Sequence, residues 1–301
     1  MVESKWRHVG GLIFLLVLVL VVAVFACVGE SRAQGKSFLW QLQSDKGDIY
    51  ILGSIHLLKP ENYPLKPVIE KAFDRAKKLV FEIDLKSADP GMVQRLTLEK
   101  GLHREGKTLQ QNVSVETYSL AAKRAQELGV DIAALNPLKP WMAALTMTSL
   151  QLRKLGFDAN SGVDRYLAGR AAKAGKPIAG LETAAFQIGL MDQLSASDQE
   201  SMLRQSLREM DLLEKAADQI VRSWAEGDVP GLEQSLVKAL QEFPAVHQKI
   251  VVDRNRRWLP EIERLIQQGE SALVVVGAAH LVGKEGVIEL LKGRGYTLEQ
   301  M

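Results

Sequence analysis

Two segments far apart in the chain share one pattern: residues 49–57 read IYILGSIHL and residues 273–281 read LVVVGAAHL. In each, an apolar run rich in β-branched residues ends in Gly-x-x-His-Leu, which predicts a buried strand followed by a turn. Glycine permits a tight turn, and the histidine three residues later can project from the carboxyl edge of the sheet, where α/β proteins bind ligands. A lone histidine there is usually a satisfied, half-buried side chain. The repetition instead predicts that His56 and His280 face each other in a paired site.

Similar elements follow both segments. After the first, residues 64–76 have helical apolar spacing and residues 78–84 predict another strand. After the second, residues 284–292 predict a helix that leads to a short extended piece. Upstream, a strand at residues 38–42 precedes a predicted hairpin at residues 44–47. Two copies of one strand–Gly-x-x-His–helix unit predict an α/β (α+β) fold with a pseudo-symmetric central sheet.

Amphipathic spacing dominates the middle of the chain, interrupted by one predicted strand at residues 176–181. No low-complexity run or Pro/Gly/Ser-rich linker separates this section from the rest. We therefore expect one domain over residues 34–301, in which a large helical insertion roofs the paired site as a cap. The predicted helices cover residues 114–128, 140–155, 163–174, 183–191, 196–224, 230–240 and 256–268.

Glu82 and Asp84 lie two residues apart on the predicted strand 78–84 and therefore face the same side. Carboxylates in so apolar a strand are costly unless a cation or a metal pairs with them. One interpretation is an edge strand with solvated acids, or a glutamate paired with an arginine. The other places Glu82 near His56 as metal ligand or general base, since this strand follows the first Gly-x-x-His unit.

The composition excludes several classes of protein. The chain has 301 residues, of which 47% are hydrophobic and 25% are charged, and its formal net charge is +2. These values are typical of a globular protein with a full hydrophobic core, and they give no electrostatic case for binding nucleic acid. Cys27 is the single cysteine, so the part after residue 33 offers no disulfide and no thiolate.

The first 33 residues differ from the rest. Lys5 and Arg7 precede an uncharged apolar stretch at residues 9–28, and a small-x-small processing pattern follows at residues 31–33. We expect a signal peptide that is removed after this pattern. The apolar stretch is also long enough to span a bilayer as an uncleaved anchor, and Cys27 offers lipidation as a third option. Each option places the domain outside the cytoplasm, either periplasmic or secreted.

Metal ligation is the chemistry that best suits paired histidines with a carboxylate and no cysteine. Two histidines and one carboxylate with open positions suit Zn²⁺, Mn²⁺, Fe²⁺ or Co²⁺, and such an ion lowers the pKa of bound water enough to form hydroxide near neutral pH. The sequence contains no His-Glu-x-x-His, no Gly-x-Ser-x-Gly, no Walker loop and no dinucleotide glycine fingerprint. It thus excludes a zincin and supports neither a serine triad nor nucleotide chemistry.

An ordered set of short motifs resembles the TraB/GumN-type proteins, whose superfamily includes the Tiki metalloproteases and, more distantly, ChaN-like haem-binding lipoproteins and erythromycin esterases. The resemblance covers nearly all of the part after residue 33. It implies a metal site at His56, Glu82 and His280, with Arg254 and Asn255 as polar partners in the cleft. The motifs are residues 52–56, 80–84, 162–167, 180–183 with Gln187, 254–255 and 276–280.

Several of these positions have a simpler interpretation. Asp164 and Glu182 lie near predicted helix starts, where a carboxylate can satisfy free N–H groups, and capping is the favoured role for Asp164. The candidate substrate-binding residues are these two together with Gly53 and Gly277. Arg254 lies in a run of charged residues, which usually forms a solvated helix face.

We expect a metal-dependent hydrolase of peptide or related bonds in the cell envelope, acting on a peptide or small-molecule substrate. The catalytic candidates are Glu82 as ligand or base, Arg254 as oxyanion stabiliser and Asn255. The alternative is a non-catalytic envelope binding protein for haem, a metal or a small peptide signal, although an aromatic content of 6% disfavours haem. A third interpretation, a scaffold that keeps the fold, predicts no metal.

Overall fold

The computed structural model describes residues 35–42, 47–84 and 89–301. The described residues form two compact units. One, which we call the sheet unit, contains residues 35–42, 47–84, 158–183 and 216–301 and carries every described strand. The other, the helical unit, contains residues 89–157 and 184–215.

The regular elements are numbered in chain order. The strands are β1 (Leu39–Leu42), β2 (Ile49–Ser54), β3 (Lys78–Ile83), β4 (Ile178–Glu182), β5 (Ala272–Gly277) and β6 (Leu298–Gln300). The α-helices are α1 (Pro67–Arg75), α2 (Pro90–Gly101), α3 (Leu109–Asn112), α4 (Val115–Glu127), α5 (Pro140–Lys154), α6 (Val163–Lys173), α7 (Ala184–Asp192), α8 (Ala196–Arg208), α9 (Leu213–Glu226), α10 (Val229–Leu232), α11 (Lys238–Gln241), α12 (Pro244–His247), α13 (Asp253–Gln268) and α14 (Val287–Gly293).

The six strands form one mixed sheet in the order β4-β3-β5-β2-β1-β6. Strands β4, β3, β5 and β2 run parallel, whereas β1 pairs antiparallel with both β2 and β6. The two Gly-x-x-His strands are direct neighbours, in a register that runs from Ile49 opposite Ala272 to Ser54 opposite Gly277. The predicted α/β (α+β) class is therefore confirmed, and the repeated pattern marks two adjacent parallel strands.

The central strands are apolar because both faces of the sheet are covered. Every residue of β2 and of β5 is buried, which explains why these segments read as continuous apolar runs rather than as an alternation. Helices before and after the strands supply the apolar side chains that pack against them in one core. Examples are Ile69 and Phe73 of α1, Leu167 of α6, Ile262 of α13 and Leu291 of α14.

In the described residues of the helical unit, all of the named regular elements are helices. Residues 140–149 of α5 are all buried, and α8 packs against both α4 and α5. Arg124 of α4 donates to both carboxylate oxygens of Asp211, with nitrogen–oxygen distances of 2.8 and 2.6 Å, and to the carbonyl of Leu207 at 3.0 Å. These bonds fix the end of α8 to the last turn of α4.

Three helices, α2, α3 and α12, were not predicted from the sequence, and several predicted helices differ from the structure in their bounds or continuity. The predicted helix at residues 196–224 is interrupted by the 3-10 turn Met210–Leu212, and the one at residues 230–240 contains a π-helical turn. The predicted helix at residues 256–268 begins earlier, at Asp253. This earlier start places residues 254 and 255 in the first turn of α13.

Two predicted features lie outside the described residues: positions 43–46 of the β1–β2 connection and the apolar stretch at residues 9–28. Within the described ranges, no helix combines the length and the apolar character needed to cross a membrane.

Candidate functional site

The carboxyl ends of the four parallel strands bring the candidate residues together. His56 follows β2, His280 follows β5, Glu82 lies near the end of β3 and Glu182 is the last residue of β4. This edge of a parallel sheet is where α/β proteins bind ligands. All of these residues belong to the sheet unit, and both histidines are buried, with 9% and 0% of their surface exposed. The histidines therefore lie inside the protein at this edge of the sheet and not on its surface.

His56 is held by Asp164. Its Nδ1 lies 2.7 Å from one Asp164 oxygen, and the Ser54 hydroxyl donates to the other at 2.9 Å. The favoured capping role of Asp164 is wrong, because Gly162 is the N-cap of α6 and the Asp164 carboxylate turns to these two side chains. Although burial alone lowers the pKa of His56, the charge and hydrogen bond of Asp164 raise it to about 9.

The close approach of α6 to the first histidine segment explains why residue 162 is a glycine. A Cβ on Gly162 would lie 2.2 Å from the carbonyl oxygen of His56, so a larger residue could not stand there without moving the backbone. Beside it, the Val163 amide donates to the carbonyl of Ile55 at 3.0 Å. The start of α6 is thus docked on the turn that carries His56, and this docking delivers Asp164.

His280 is held by a neutral partner. Its Nδ1 lies 2.6 Å from Asn255 Oδ1, while Asn255 Nδ2 donates to the carbonyls of His280 at 3.3 Å and of Glu285 at 2.7 Å. Those two carbonyls fix the orientation of the amide, so Asn255 Oδ1 must accept and His280 Nδ1 must carry the proton. Burial, followed by the charge of Arg254, holds the pKa of His280 well below its usual value. The neutral ring therefore presents a lone pair at Nε2.

Glu82 lies between the second histidine and an arginine. One carboxylate oxygen accepts the Gly277 amide at 2.7 Å and lies 3.9 Å from His280 Nε2, and the other accepts Arg254 Nη2 at 2.6 Å. Burial alone raises the pKa of Glu82, but the charge of Arg254, followed by smaller contributions, lowers it to about 2. Strand β3 lies inside the sheet, so the solvated edge-strand interpretation is wrong and the arginine pairing is confirmed.

Arg254 is fully buried and uses all five of its N–H groups inside the protein. Nε and Nη2 both donate to Glu182 Oε1, and Nη2 also donates to Glu82. Nη1 donates to the carbonyl of Ile250 at 3.1 Å and lies 3.1 Å from His280 Nε2, which accepts because its ring is neutral. With 0% of its surface exposed, Arg254 does not belong to a solvated helix face, and that interpretation is wrong.

Two residues of the cluster were not among the sequence-based candidates. Trp258 Nε1 donates to Glu182 Oε2 at 3.2 Å, and the Trp258 ring lies 4.4 Å from the His280 ring and 4.9 Å from the Arg254 guanidinium. The sequence signal that could have identified Trp258 is its position four residues, or about one helical turn, after Arg254. Ser54, which shares Asp164 with His56, carried only a weak signal as the polar residue inside the first motif.

The two glycines of the repeated motif do not adopt the left-handed backbone conformation. Neither Gly53 nor Gly277 has a positive φ, and Gly277 has a φ of −53°. At Gly53, a Cβ would lie 2.3 Å from Phe38 Cδ1, so close packing requires the glycine. The backbone of Gly277 contributes the N–H that Glu82 accepts. Their expected contact with substrate stays a prediction.

The cluster suits a divalent metal in its chemistry. Both histidines have Nδ1 fixed by a side-chain oxygen, which is the outer-shell pattern that directs Nε2 toward a metal. Three carboxylates stand against one guanidinium and one imidazolium, so the buried groups carry one net negative charge. As the described side chains stand, no three of the His, Cys, Asp or Glu residues are arranged to hold one ion, and His280 Nε2 is engaged with Arg254. The donor set fits a metal once Arg254 releases His280 Nε2 and the His56 imidazolium loses the proton on its own Nε2.

Comparison with known proteins identifies a family and several relatives that are similar to this chain. The family model described as the TraB/PrgY/gumN family matches residues 38–300. The uncharacterised protein YbaP of Escherichia coli (strain K12) is 24% identical over 243 residues, which cover 81% of this chain and 87% of YbaP. An uncharacterised protein of Treponema pallidum (strain Nichols) is 23% identical over an alignment of 312 residues, covering 94% of this chain and 90% of that protein. No solved structure gives a significant match.

Proposed function

This chain belongs to the TraB/PrgY/gumN family, and on that premise we propose that it is a metal-dependent hydrolase of peptide or related bonds. One observation carries the proposal. Two histidines follow equivalent segments of neighbouring parallel strands, each with Nδ1 fixed by a side-chain oxygen, and the buried Glu82 carboxylate of the next strand lies 3.9 Å from His280 Nε2 at the same edge of the sheet. A purely structural histidine pair would not need two such anchors and a carboxylate at one edge.

The proposed metal ligands are His56, His280 and Glu82. Asp164 and Asn255 orient the two imidazoles, and the Gly277 amide orients Glu82. When bound, a divalent Zn²⁺, Mn²⁺, Fe²⁺ or Co²⁺ ion supplies a Lewis acid that lowers the pKa of water. Glu82 is ionised at neutral pH because its pKa is lowered to about 2, and it would supply a negatively charged ligand to the ion.

The proposal changes the roles expected for two residues. All five Arg254 donors end on protein atoms, so we assign Arg254 to holding Glu82 and Glu182 rather than to stabilising an oxyanion. The Asn255 amide is likewise engaged at both ends, and we assign it to positioning His280. Glu182 is held by Arg254 and Trp258. We therefore assign Glu182 to holding these two residues in place rather than to direct contact with the substrate.

We propose that the reaction takes place outside the cytoplasm. Lys5 and Arg7 before the apolar stretch at residues 9–28 support export, because positive residues stay on the cytoplasmic side. The substrate is then a peptide or small molecule of the envelope, and a retained residue 9–28 segment would anchor the protein to the membrane. N-terminal sequencing of protein from the envelope fraction tests this: a start at Gln34 supports removal of the signal, and cytoplasmic protein contradicts export.

The test is hydrolysis of a peptide library by the full chain, first stripped with chelator and then given Mn²⁺, Co²⁺ or Zn²⁺. We expect turnover that requires added metal and that falls at least 100-fold in Glu82→Gln, because the amide keeps the shape but removes the charge. The matched control is Glu289→Gln, which removes an exposed carboxylate of α14 and should keep wild-type turnover.

Two outcomes contradict the hydrolase. Metal bound with no turnover of any library member supports the alternative, a non-catalytic binding protein. Turnover that is unaffected by chelator and equal in Glu82→Gln rules out the metal-dependent reaction.

A further inference from the structure

We propose that Arg254 is an internal cation that competes with the metal for His280 Nε2, so that Arg254 sets the metal affinity of the site. This inference rests on the proposed function, because it assumes that His280 is a ligand. It concerns a different property, namely which protein group must release His280 before the metal can bind there.

The competition follows from the chemistry of the imidazole ring. His280 Nδ1 carries the proton that Asn255 Oδ1 accepts, which leaves one lone pair on the ring, at Nε2. Arg254 Nη1 occupies that lone pair at 3.1 Å. An sp² nitrogen cannot accept a hydrogen bond and bind a metal with the same lone pair. Metal binding at His280 therefore requires Arg254 Nη1 to withdraw.

Arg254 has an acceptor that it can keep while it withdraws. Glu182 accepts from both Nε and Nη2, and its other oxygen is held by Trp258 at 3.2 Å. The guanidinium can thus stay paired with Glu182 while it releases His280 and Glu82, and a buried unpaired cation, which would be costly, is avoided.

The backbone next to Arg254 is irregular in a way that suits this movement. The π-helical turn Gln248–Val252 leads directly into α13, and the Ile250 carbonyl within it accepts from Arg254 Nη1. π-Helical turns are rare and are often found at functional sites. The same turn contacts the 3-10 turn Ala278–His280 that carries the second histidine. The anchor of Nη1 and the proposed ligand therefore lie on two touching irregular segments.

The test measures the affinity of the full chain for Co²⁺ by absorbance and calorimetry, after chelator treatment. Arg254→Lys keeps the positive charge but lacks the planar fork, so it cannot reach His280 while it pairs with both glutamates. We expect it to bind Co²⁺ about tenfold more tightly than wild type, since one hydrogen bond from a charged donor no longer opposes the metal. Arg256→Lys, on the exposed side of the same helix turn, is the matched control and should leave the affinity unchanged.

Glu182→Gln should act in the opposite direction. Without the Glu182 charge, release of Glu82 would strand the guanidinium, so we expect Co²⁺ binding to weaken by about tenfold. If Glu182 acts through Arg254, the two substitutions must be coupled, and the double variant will differ from the product of the single effects. Additive effects would contradict the proposed role of Glu182 as the acceptor that keeps Arg254 paired when it withdraws from His280.

A measurement on the wild-type protein covers the case in which a variant fails to fold. The nitrogen signals of the Arg254 guanidinium should shift on addition of Zn²⁺, whereas those of Arg124 in the helical unit, which pairs with Asp211, should not. Co²⁺ binding that His280→Ala abolishes but Arg254→Lys leaves unchanged overturns the inference and spares the proposed function. Absence of Co²⁺ binding in both wild type and Arg254→Lys contradicts the proposed function itself.

Discussion

The two Gly-x-x-His segments have nearly the same sequence pattern and opposite electrostatics. His56 donates to a carboxylate, Asp164, and its pKa is raised to about 9. His280 donates to an amide, Asn255, and lies beside Arg254, which together with burial holds its pKa well below the usual value. The repeated motif places two imidazoles on adjacent strands, but residues remote in the sequence decide their charge. Asp164 is 108 residues from His56, and Asn255 is 25 residues from His280.

This difference gives the site one charged and one neutral imidazole before any metal binds. At neutral pH the neutral ring can accept from the arginine, and the charged ring offsets part of the negative charge of the carboxylates. In the metal-free protein, substitutions that remove or exchange the partners of the two rings should therefore change both the stability of the fold and the pKa values of the histidines.

Arg254→Met should have the largest effect, because it removes the cation that the second histidine segment depends on. Glu82 and Glu182 would remain buried without their shared partner, and removal of one member of a buried ion pair costs about 3–5 kcal/mol. Chemical denaturation at pH 7 measures the loss. Arg256→Met is the control and should change the free energy of unfolding by less than about 0.5 kcal/mol, since its partner Glu285 is a surface residue. A loss below about 1 kcal/mol in Arg254→Met would mean that the cluster is not held by this pair.

Asn255→Asp makes the second segment resemble the first, and it should destabilise the protein by about 3 kcal/mol. The amide nitrogen that donates to the carbonyls of His280 and Glu285 would become an oxygen facing two acceptors. The His280 ring would at the same time gain a carboxylate partner, and NMR titration should show its pKa raised relative to wild type. A pKa that stays in place would show that burial and Arg254, not the neutral partner, make the two histidines differ.

Asp164→Asn makes the first segment resemble the second and should lower the pKa of His56 from about 9 toward or below its usual 6.5. Because the folded-state pKa of His56 is raised, its stabilising contribution is fully present below pH 6.5 and is lost as the pH rises through about 9. We expect Asp164→Asn to cost about 2 kcal/mol at pH 6 and clearly less at pH 9.5. Denaturation at both pH values measures this, and a cost independent of pH would contradict the raised pKa.

Ser54→Ala should have the smallest effect, about 1 kcal/mol, because it removes one hydroxyl hydrogen bond to Asp164 and leaves His56 in place. The equivalent position in the second segment is already alanine, Ala278, so the same change brings the two segments closer in sequence. NMR titration of His56 supplies the second readout. Without the Ser54 hydroxyl, the Asp164 carboxylate has one donor fewer and should interact more strongly with His56, which raises the pKa of His56 slightly. A fall in that pKa would contradict the assigned hydrogen bond from Ser54 to Asp164.

The sheet could be predicted because its signals are local. Strands β2, β3 and β5 are apolar runs with clear ends, and the sequence predicted each of them to within two residues. The prediction that two histidine segments pair at one edge followed from the repetition of Gly-x-x-His, and the prediction that Glu82 lies near that edge followed from the strand after the first motif. These inferences needed no knowledge of which distant residues pack together.

The environment of the site could not be predicted, because it depends on long-range contacts. Asp164 looked like a helix cap, and nothing near it in the sequence indicates that His56 and Ser54 are its partners. Arg254 looked solvated because it lies in a run of charged residues, and the π-helical turn before it has no sequence signature. Burial of that one arginine determines the roles of Glu82 and Glu182.

The stoichiometry of metal binding tests the central claim, that the two histidine segments form one site, most directly. Full-length wild type, His56→Ala and His280→Ala are loaded with Zn²⁺, dialysed and analysed for metal, with circular dichroism as the check that each variant folds. One shared site predicts one ion per chain in wild type and none in either variant, because each histidine supplies a ligand that the other cannot replace. A folded variant that keeps one ion per chain would contradict the shared site.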